Sequence, residues 1–277
     1  MGEHIRIEKR GAVGVLTIAR RDRFNSLDVE TARDLRKAGL GLARDRAVRA
    51  VILRGEGGVF CSGADLKYIA QHGDDRVAYL SPEARPPRAG YGAVFKQILE
   101  YIHSTISEIR RAPKPWLAAV DGPTAAGGLG IAMACDLVIC TERATFEWAY
   151  FKTGLTGAES TTFLLSRLVG FRKAMELVML GERQSARDAL QLGLVNEVVP
   201  DAELDARALA IAARLAEAPT AAVGIAKRLI NRGADMDRLD THLDAELAEL
   251  ARIADGPNFA EGLAAFLERR PPRFGAE

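Results

Sequence analysis

The sequence predicts an α/β protein in which a largely parallel sheet precedes a C-terminal region made only of helices. Up to about residue 200, short apolar strand patterns alternate with amphipathic helix patterns, as in βαβ crossovers. From Asp201 onward only helical patterns follow. The 277 residues are 48% hydrophobic and 27% charged, which suits one large globular unit. We therefore expect an α/β core over residues 1–200 and a helical region over residues 201–277.

The first elements have clear patterns. Residues 13–18 read as a strand, and Asp28 is placed to cap a helix. The apolar face of that helix is formed by Val29, Ala32, Leu35, Ala38 and Leu42. Residues 48–53 form a nearly continuous apolar strand, so we expect both of its faces to be covered.

The middle of the chain begins with a polar, proline-rich stretch at residues 71–92, interpreted as a mobile loop. A strong amphipathic helix follows, with Phe95, Ile98, Leu99, Ile102, Ile106 and Ile109 on one face. Pro113 and Pro115 end it and lead into strands at residues 116–120 and 137–140. The C-terminal helices carry apolar stripes at Leu204, Ala208, Ile211 and Leu215, then at Leu239, Leu243, Leu247 and Leu250. Such stripes are most often plain core, but an apolar surplus after a complete α/β unit favours packing on a neighbouring subunit.

Charge and cysteine content exclude several classes of function. The balance of 38 Lys+Arg against 37 Asp+Glu provides no basic field for nucleic acid. No uncharged apolar run is long enough to cross a membrane, and the first residues contain no signal-peptide core. The three cysteines suggest no disulfide framework, and the four histidines have no metal-ligand spacing. We expect a cytoplasmic protein without a metal, in which Cys61 fills apolar space and His72 is a solvated loop residue.

Two glycine-rich turns, at residues 60–67 and 121–130, each follow a strand and precede a helix. Backbone N–H groups are exposed at such turns, and two of them can jointly hold one oxygen atom as an oxyanion hole. Alternatively, the glycines only permit tight strand-to-helix packing. Neither turn has the spacing of a dinucleotide-binding or P-loop motif.

Together with further motifs in order, the turns resemble those of the crotonase (enoyl-CoA hydratase/isomerase) superfamily. The similarity covers residues 5–270 and includes residues 23–27, 134–139, 144–146, 168–170, 186–190 and 192–200. The resemblance implies a crotonase-like spiral of ββα units whose C-terminal helices build a homotrimer or hexamer. It also implies an acyl-CoA or enoyl-CoA substrate, a place in fatty acid metabolism, and no cofactor apart from the coenzyme A of the substrate.

The resemblance assigns roles to individual residues. The thioester carbonyl would accept hydrogen bonds from the N–H groups of Ala64 and Gly127. The residues implied in coenzyme A binding are Ser62, Ala64, Asp65 and Leu66 around the adenine, with Arg23 and Lys67 at the phosphates. For both cations a purely solvent-facing position is the alternative. Phe266, Arg269 and Arg270 resemble the part that reaches a neighbour's site.

The sequence departs from the family at the positions of two hydratase glutamates, which are Gly130 and Tyr150 here. Two-glutamate hydration is therefore not expected. Other members carry a carboxylate further along, where strict counting gives Ala158 and the acid, Glu159, comes one residue later. Glu159 either reaches the pocket as an acid/base or faces solvent in a helix's first turn, where the helix dipole favours it without catalysis.

An aromatic run follows Phe146. Trp148, Tyr150 and Phe151 either shape a pocket for a cyclic acyl group or pack as core or trimer contacts. Tyr150 can donate a hydrogen bond in place of a lost carboxylate, and Glu147 is expected to face away from the pocket.

The resulting hypothesis is an enzyme that stabilises a thioester enolate at Ala64 and Gly127 and transfers a proton through Glu159. Isomerisation of a double bond fits a single carboxylate best, because one base can remove and return the proton. An atypical hydratase and a non-catalytic subunit that binds CoA esters are the alternatives. Dehalogenation is disfavoured, because no carboxylate occupies the strict nucleophile position.

Overall fold

A computed structural model describes residues 3–71 and 90–275, so His72 and most of the predicted loop lie outside the described residues. The strands are β1 (Ile5–Arg10), β2 (Val13–Ile18), β3 (Ala50–Gly55), β4 (Trp116–Val120), β5 (Pro123–Ala125), β6 (Leu137–Thr141), β7 (Thr145–Glu147), β8 (Gln184–Ser185) and β9 (Glu197–Val199). The helices of the core are α1 (Val29–Arg44), α2 (Leu66–Ala70), α3 (Tyr91–Arg111), α4 (Gly127–Ala134), α5 (Thr161–Val169), α6 (Phe171–Leu180) and α7 (Ala186–Gln191). Those of the C-terminal region are α8 (Leu204–Glu217), α9 (Thr220–Gly233), α10 (Leu239–Ala254) and α11 (Pro257–Glu268).

The main sheet has six strands in the order β1-β2-β3-β4-β6-β9. Only β1 and β2 pair antiparallel, through a hairpin; each later neighbour is parallel. A second sheet, β5-β7-β8, lies beside it. The prediction of a largely parallel sheet followed by a helical region is confirmed.

Strand β3 is covered on both faces, as its continuous apolar sequence predicts. Val51 and Leu53 point into the large core shared with α1 and α3. Ala50 and Ile52 point the other way, into a smaller core whose outer wall is α8. Helix α8 therefore covers the second face of the sheet with its apolar stripe.

The expectation that the C-terminal apolar stripes pack on a neighbouring subunit is wrong for α8 and α10. Leu204 and Ala208 are buried against the chain's own sheet, while Leu239, Leu243 and Leu250 lie in the large core. The second face of a parallel sheet needs such a cover, and the α/β core alone does not supply it. Large apolar side chains are exposed elsewhere, on α6 (Phe171, Met179, Leu180) and on α9 (Ile225, Leu229, Ile230).

Local signals in the sequence account for several boundaries. The Asp28 carboxylate accepts a hydrogen bond from the Thr31 N–H at 2.8 Å and starts α1 as predicted. Helix α3 begins at Tyr91, within the segment predicted as loop.

Among the described residues no single helix is long and apolar enough to span a membrane. Residues 201–217 and 220–233 reach that length only as a pair bent by 103°.

Candidate active site

The first glycine turn is held between residue 27 and the second turn. The Leu27 N–H donates to the Gly63 carbonyl at 2.8 Å, and the Asp65 N–H donates to the Leu27 carbonyl at 2.9 Å. On the other side, the Ala125 N–H donates to the Cys61 carbonyl at 3.1 Å. Backbone hydrogen bonds therefore hold the two turns in place relative to each other. The turns follow β3 and β4, which are parallel neighbours in the main sheet.

The two turns approach each other closely only because glycines stand at the contact. A Cβ at Gly63, whose φ is +90°, would lie 3.0 Å from the Gly127 nitrogen. A Cβ at Gly128 would lie 2.1 Å from the Cys61 carbonyl oxygen. Ala126 holds φ at +46° just before α4 begins, a conformation that few non-glycine residues adopt.

The Ala64 and Gly127 amides are the donors that the family resemblance assigns. Gly127 is the first residue of α4, so its N–H has no intrahelical acceptor. Within residues 3–71 and 90–275, neither amide donates a hydrogen bond. Two neighbouring turns thus present one available N–H each, as an oxyanion hole requires.

Glu159 is buried, with 2% of its surface exposed, and its carboxylate lies beside Gly127. A Cβ at Gly127 would be 2.7 Å from Oε1 of Glu159. The backbone reaches this position through two consecutive left-handed residues, Glu159 (φ +53°) and Ser160 (φ +62°). This turn directs the side chain inward despite the one-residue offset, so the solvent-facing alternative is wrong.

Gly130 and Tyr150, which stand at the positions of the two family glutamates, both contact Glu159. At Gly130 a Cβ would lie 1.9 Å from the Glu159 carbonyl oxygen, so the Glu159 backbone occupies the space that a side chain there would need. At the other position, the Tyr150 hydroxyl contacts the Glu159 carboxylate as a donor and lies 3.1 Å from the Ala158 carbonyl. The single carboxylate of Glu159 thus lies against both positions at which the family resemblance implies a glutamate.

Burial gives Glu159 the titration behaviour of an acid/base group. Desolvation raises its pKa from 4.5 to about 7; the Tyr150 hydrogen bond opposes this shift and the nearby Glu246 adds to it. Burial, followed by the Glu159 charge, raises the pKa of Tyr150 well above its usual value. Tyr150 is therefore a neutral donor, and Glu159 is close to half-protonated at neutral pH.

Two further residues contact this turn and were not singled out from the sequence. Nε2 of His103, on α3, accepts the Glu159 N–H at 3.2 Å. Burial lowers the pKa of His103 to about 4, so the ring is neutral with its proton on Nδ1. Glu246, on α10, accepts the Ser160 N–H at 2.7 Å. Each is a polar residue inside an apolar helical stripe, and that interruption is the signal that could have revealed them.

The aromatic run divides between two places. Trp148 and Tyr150 are buried beside each other, with ring centroids 5.1 Å apart. Phe151 is 38% exposed and packs against Gly181, where a Cβ would lie 1.9 Å from the ring. Glu147 pairs with Arg183 at 3.0 Å and with Lys152, and its orientation away from the pocket stays a prediction.

Two of the expected coenzyme A residues, Arg23 and Asp65, belong to one ion-pair cluster. The Asp65 carboxylate caps α2 by accepting the Lys67 and Tyr68 N–H groups, and it pairs with Arg20 at 2.7 Å and Arg23 at 2.6 Å. Arg23 is therefore engaged within the chain, whereas Lys67 is exposed. Ser62 and Leu66 are half-buried on the same turn.

The C-terminal residues expected at a neighbour's site lie on or just after α11. Phe266 is 50% exposed. Arg269 ends the helix in a left-handed conformation, and Arg270 pairs with Glu261 and Glu268, both at 2.6 Å. The guanidinium of Arg270 is thus held within its own chain.

The described part of the chain contains neither a metal site nor a reactive thiol at Cys61. No group of three or more His, Cys, Asp or Glu side chains there is placed to hold a metal ion. Cys61 is buried, and desolvation raises the pKa of its thiol to about 12, so it is not a thiolate at neutral pH.

The facing glycine turns, their available amides and the buried carboxylate beside them are the arrangement that the resemblance to the crotonase superfamily implies, and the chain has the fold of that class. The chain belongs to the enoyl-CoA hydratase/isomerase family, whose model matches residues 8–86 and 92–277.

Relatives of known sequence and structure agree with this assignment. A 4-chlorobenzoyl coenzyme A dehalogenase of Arthrobacter is 33% identical over 95% of this chain and 90% of its own length. A probable enoyl-CoA hydratase of Rhodobacter capsulatus is 35% identical over 98% of this chain and 97% of its own. The crystal structure of an enoyl-CoA hydratase from Mycobacterium avium subsp. paratuberculosis superposes with a TM-score of 0.84 and 31% identity, covering 99% of each chain.

Proposed function

We propose that the protein moves a double bond in an enoyl-CoA thioester, with Glu159 as its single acid/base group. The observation that carries this proposal is the Glu159 carboxylate, buried beside Gly127 at the point where the two glycine turns meet. The Ala64 and Gly127 N–H groups stabilise the thioester oxygen when negative charge develops there.

The proposed reaction needs only one carboxylate. Ionised Glu159 removes a proton from the carbon between the thioester carbonyl and the double bond, and the electron pair moves onto the thioester oxygen. Protonated Glu159 then returns the proton to the far carbon of the former double bond, whose electron pair forms the new C–H bond. The electron pair of the oxyanion re-forms the thioester carbonyl, and the pair of the enolate C=C bond forms the new double bond. The pKa of about 7 suits both halves, because the group both gives and takes a proton near neutral pH.

A second candidate is displacement at an aromatic ring, with Glu159 as nucleophile. Two observations favour it: the Arthrobacter relative is named as a dehalogenase, and Trp148 and Tyr150 provide aromatic surface beside the carboxylate. The offset of Glu159 in the sequence does not exclude this reaction, since its carboxylate lies beside Gly127 all the same. The hydrogen bond from Tyr150 and the raised pKa both lower the nucleophilicity of Glu159 at neutral pH, so proton transfer remains the first choice.

The discriminating experiment is incubation with straight-chain, cyclic and 4-halogenated aromatic acyl- and enoyl-CoAs in heavy water, followed by mass spectrometry. Isomerisation predicts deuterium incorporation with no change in composition. Addition of a whole water indicates the atypical hydratase, and replacement of halide by hydroxyl indicates the nucleophile. Bound esters that undergo none of these reactions indicate a non-catalytic CoA-ester-binding subunit and contradict the proposal.

For coenzyme A we propose binding along the first turn, with the backbone of residues 62–66 at the adenine and Lys67 at a phosphate. The proposal is supported by the exposure of Lys67 and by the rigid Asp65 cap. Arg23 is already paired with Asp65, so its contribution to phosphate binding is smaller. The reaction requires no cofactor beyond the coenzyme A of the substrate.

We further propose a cytoplasmic homotrimer or hexamer whose core of residues 1–200 carries the site and whose helical region 201–277 helps to close it. Exposed apolar side chains on α6 and α9 support an oligomer, because an isolated chain would leave them in water.

A further inference from the structure

The Glu246 carboxylate lies under the turn that carries Glu159. It belongs to α10, in the C-terminal region, and only 6% of the residue is exposed. One oxygen accepts the Ser160 N–H at 2.7 Å; the other accepts the Thr162 N–H at 3.0 Å and the Thr162 hydroxyl at 2.5 Å. A single side chain therefore satisfies three donors immediately after Glu159.

Helix α5 depends on this carboxylate for its start. Its N-cap residue, Ser160, is left-handed and makes no side-chain cap bond, and the buried Ser160 hydroxyl has no partner among the described residues. An N-cap normally supplies an oxygen to the first free N–H groups of its helix. Glu246 supplies those oxygens from another helix, and when ionised its negative charge faces the positive end of the α5 dipole. Burial raises the pKa of Glu246, and the hydrogen bonds from Ser160 and Thr162 oppose that shift.

We infer that Glu246 is a positioning residue that holds the Glu159–Ser160 turn and so aims the Glu159 carboxylate at Gly127. The inference rests on the proposed function, in which Glu159 transfers the proton. It assigns to the C-terminal region a direct role in the site, through a contact within one chain.

The charged surroundings make this contact electrostatic as well as geometric. Glu246 raises the pKa of Glu159, since two nearby carboxylates disfavour each other's ionisation. His242 lies 3.6 Å from Glu246, and burial together with Arg167 and Arg238 lowers its pKa, so it does not neutralise Glu246 at pH 7.

Three other described titratable groups near the pair, His103, Tyr150 and Cys61, carry no charge at pH 7. On the α3 side His103 has a pKa of about 4, and on the strand side Tyr150 keeps its proton. The charge of Glu246 therefore acts directly on the titration of Glu159.

The test compares Glu246→Gln with Glu249→Gln, the same change at an exposed position of the same helix. Infrared difference spectra give the pH at which Glu159 is half-protonated, and the band is assigned by its loss in Glu159→Gln. In Glu246→Gln this pH is expected to fall by about one unit, because a like charge has been removed. We also expect kcat to fall about tenfold with little change in KM, and Glu249→Gln to match the parent chain.

Equal titration of Glu159 in Glu246→Gln and the parent chain would overturn the inference. If Glu246→Gln fails to fold, Glu246→Asp replaces it: it keeps the charge and withdraws the oxygens by one methylene. Glu246→Asp is expected to keep the Glu159 titration and lose kcat, whereas parent-like turnover would overturn the inference. Failure of this inference can be told apart from failure of the proposed function. The inference is tested by the infrared titration, which needs no turnover. The proposed function fails if Glu159→Gln turns over the ester at the parent rate.

Discussion

Glu159 combines full burial with a left-handed backbone, and Ser160 repeats that conformation. Each such residue costs about 1–3 kcal/mol and persists only where its surroundings hold it. Here the holders are Tyr150 at the carboxylate, His103 at the Glu159 amide and Glu246 at the Ser160 amide. The strain thus lies in the backbone of a turn that carries a buried carboxylate and is held by three polar side chains. This combination is typical of a functional position.

Replacing Glu159 by glutamine tests its role directly. The amide keeps the shape of the side chain but cannot accept a proton, so we expect turnover of the reactive ester to fall by a factor of about 10²–10⁴, the usual contribution of a general acid/base group. Affinity for the CoA ester, measured by isothermal calorimetry, should stay within a few-fold of the parent chain. Turnover at the parent rate would show that another group carries the proton.

Replacing Tyr150 by phenylalanine tests whether Tyr150 acts only as a hydrogen-bond donor to Glu159 and not as the acid/base group itself. The Tyr150 hydrogen bond lowers the pKa of Glu159, so its removal raises that pKa above about 7. The parent kcat/KM should rise with pH through about 7 as Glu159 ionises, and in Tyr150→Phe this rise should move upward by about one pH unit. The Glu159→Gln chain is the control: adding Tyr150→Phe to it should cause no further loss of rate.

Folding stability should depend on pH through the same carboxylate. Its pKa is about 7 in the folded chain and 4.5 when unperturbed, so between these values the folded state binds more protons. The stabilisation is complete below about pH 4.5 and is lost as the pH rises through 7, by about 3 kcal/mol in total. Urea denaturation of the parent and of Glu159→Gln at several pH values measures this difference. A difference between the two chains that is independent of pH would contradict it.

At the scale of elements, the site depends on how closely α4 and the start of α5 approach. The small first turn of α4 leaves space for the Glu159 backbone, and Gly130 is the point of closest contact. Because α5 takes its cap from α10, a helix in the C-terminal region is coupled to the turn that carries Glu159.

An alanine at Gly130 is therefore expected to push the Glu159 turn away. Its Cβ would lie 1.9 Å from a backbone oxygen, which cannot rotate aside, so we expect a loss of at least about 1–3 kcal/mol and of most activity. Gly41→Ala in α1 is the matched control, with nothing within 4 Å of its added Cβ; it should stabilise the chain by about 0.5–1 kcal/mol. Thermal unfolding measures both, and equal effects of the two substitutions would refute this account of the contact.

At the scale of the whole molecule, the apolar faces of α6 and α9 suggest self-association. Sedimentation should give three or six times the mass of one chain. Met179→Glu places a charge on the exposed face of α6, where the parent side chain is 64% exposed, and should weaken the assembly. Glu249→Gln, far more conservative and also exposed, should leave it intact. A monomeric parent chain would contradict the proposed oligomer.

The order and type of the main elements were predictable from the sequence because short-range chemistry determines them. Asp28 caps α1, prolines separate α3 from β4, and the unbroken apolar run of β3 requires a cover on both faces. The two glycine turns were found for the same reason, since only glycine allows such close backbone approach. Their resemblance to the crotonase superfamily extended this to the fold.

Tertiary structure alone decided where Glu159 points and what holds it. Counting residues left it either in the pocket or in solvent, because a one-residue offset rotates a helical side chain by about 100°. The left-handed turn resolves this, and it depends on His103 and Glu246, which are 56 and 86 positions away in the chain from the residues they hold. Likewise, the sequence identified the apolar stripes of α8 and α10, but only packing showed that they cover the chain's own sheet and core. Periodicity identifies an apolar face; which surface buries it depends on contacts between residues far apart in the sequence.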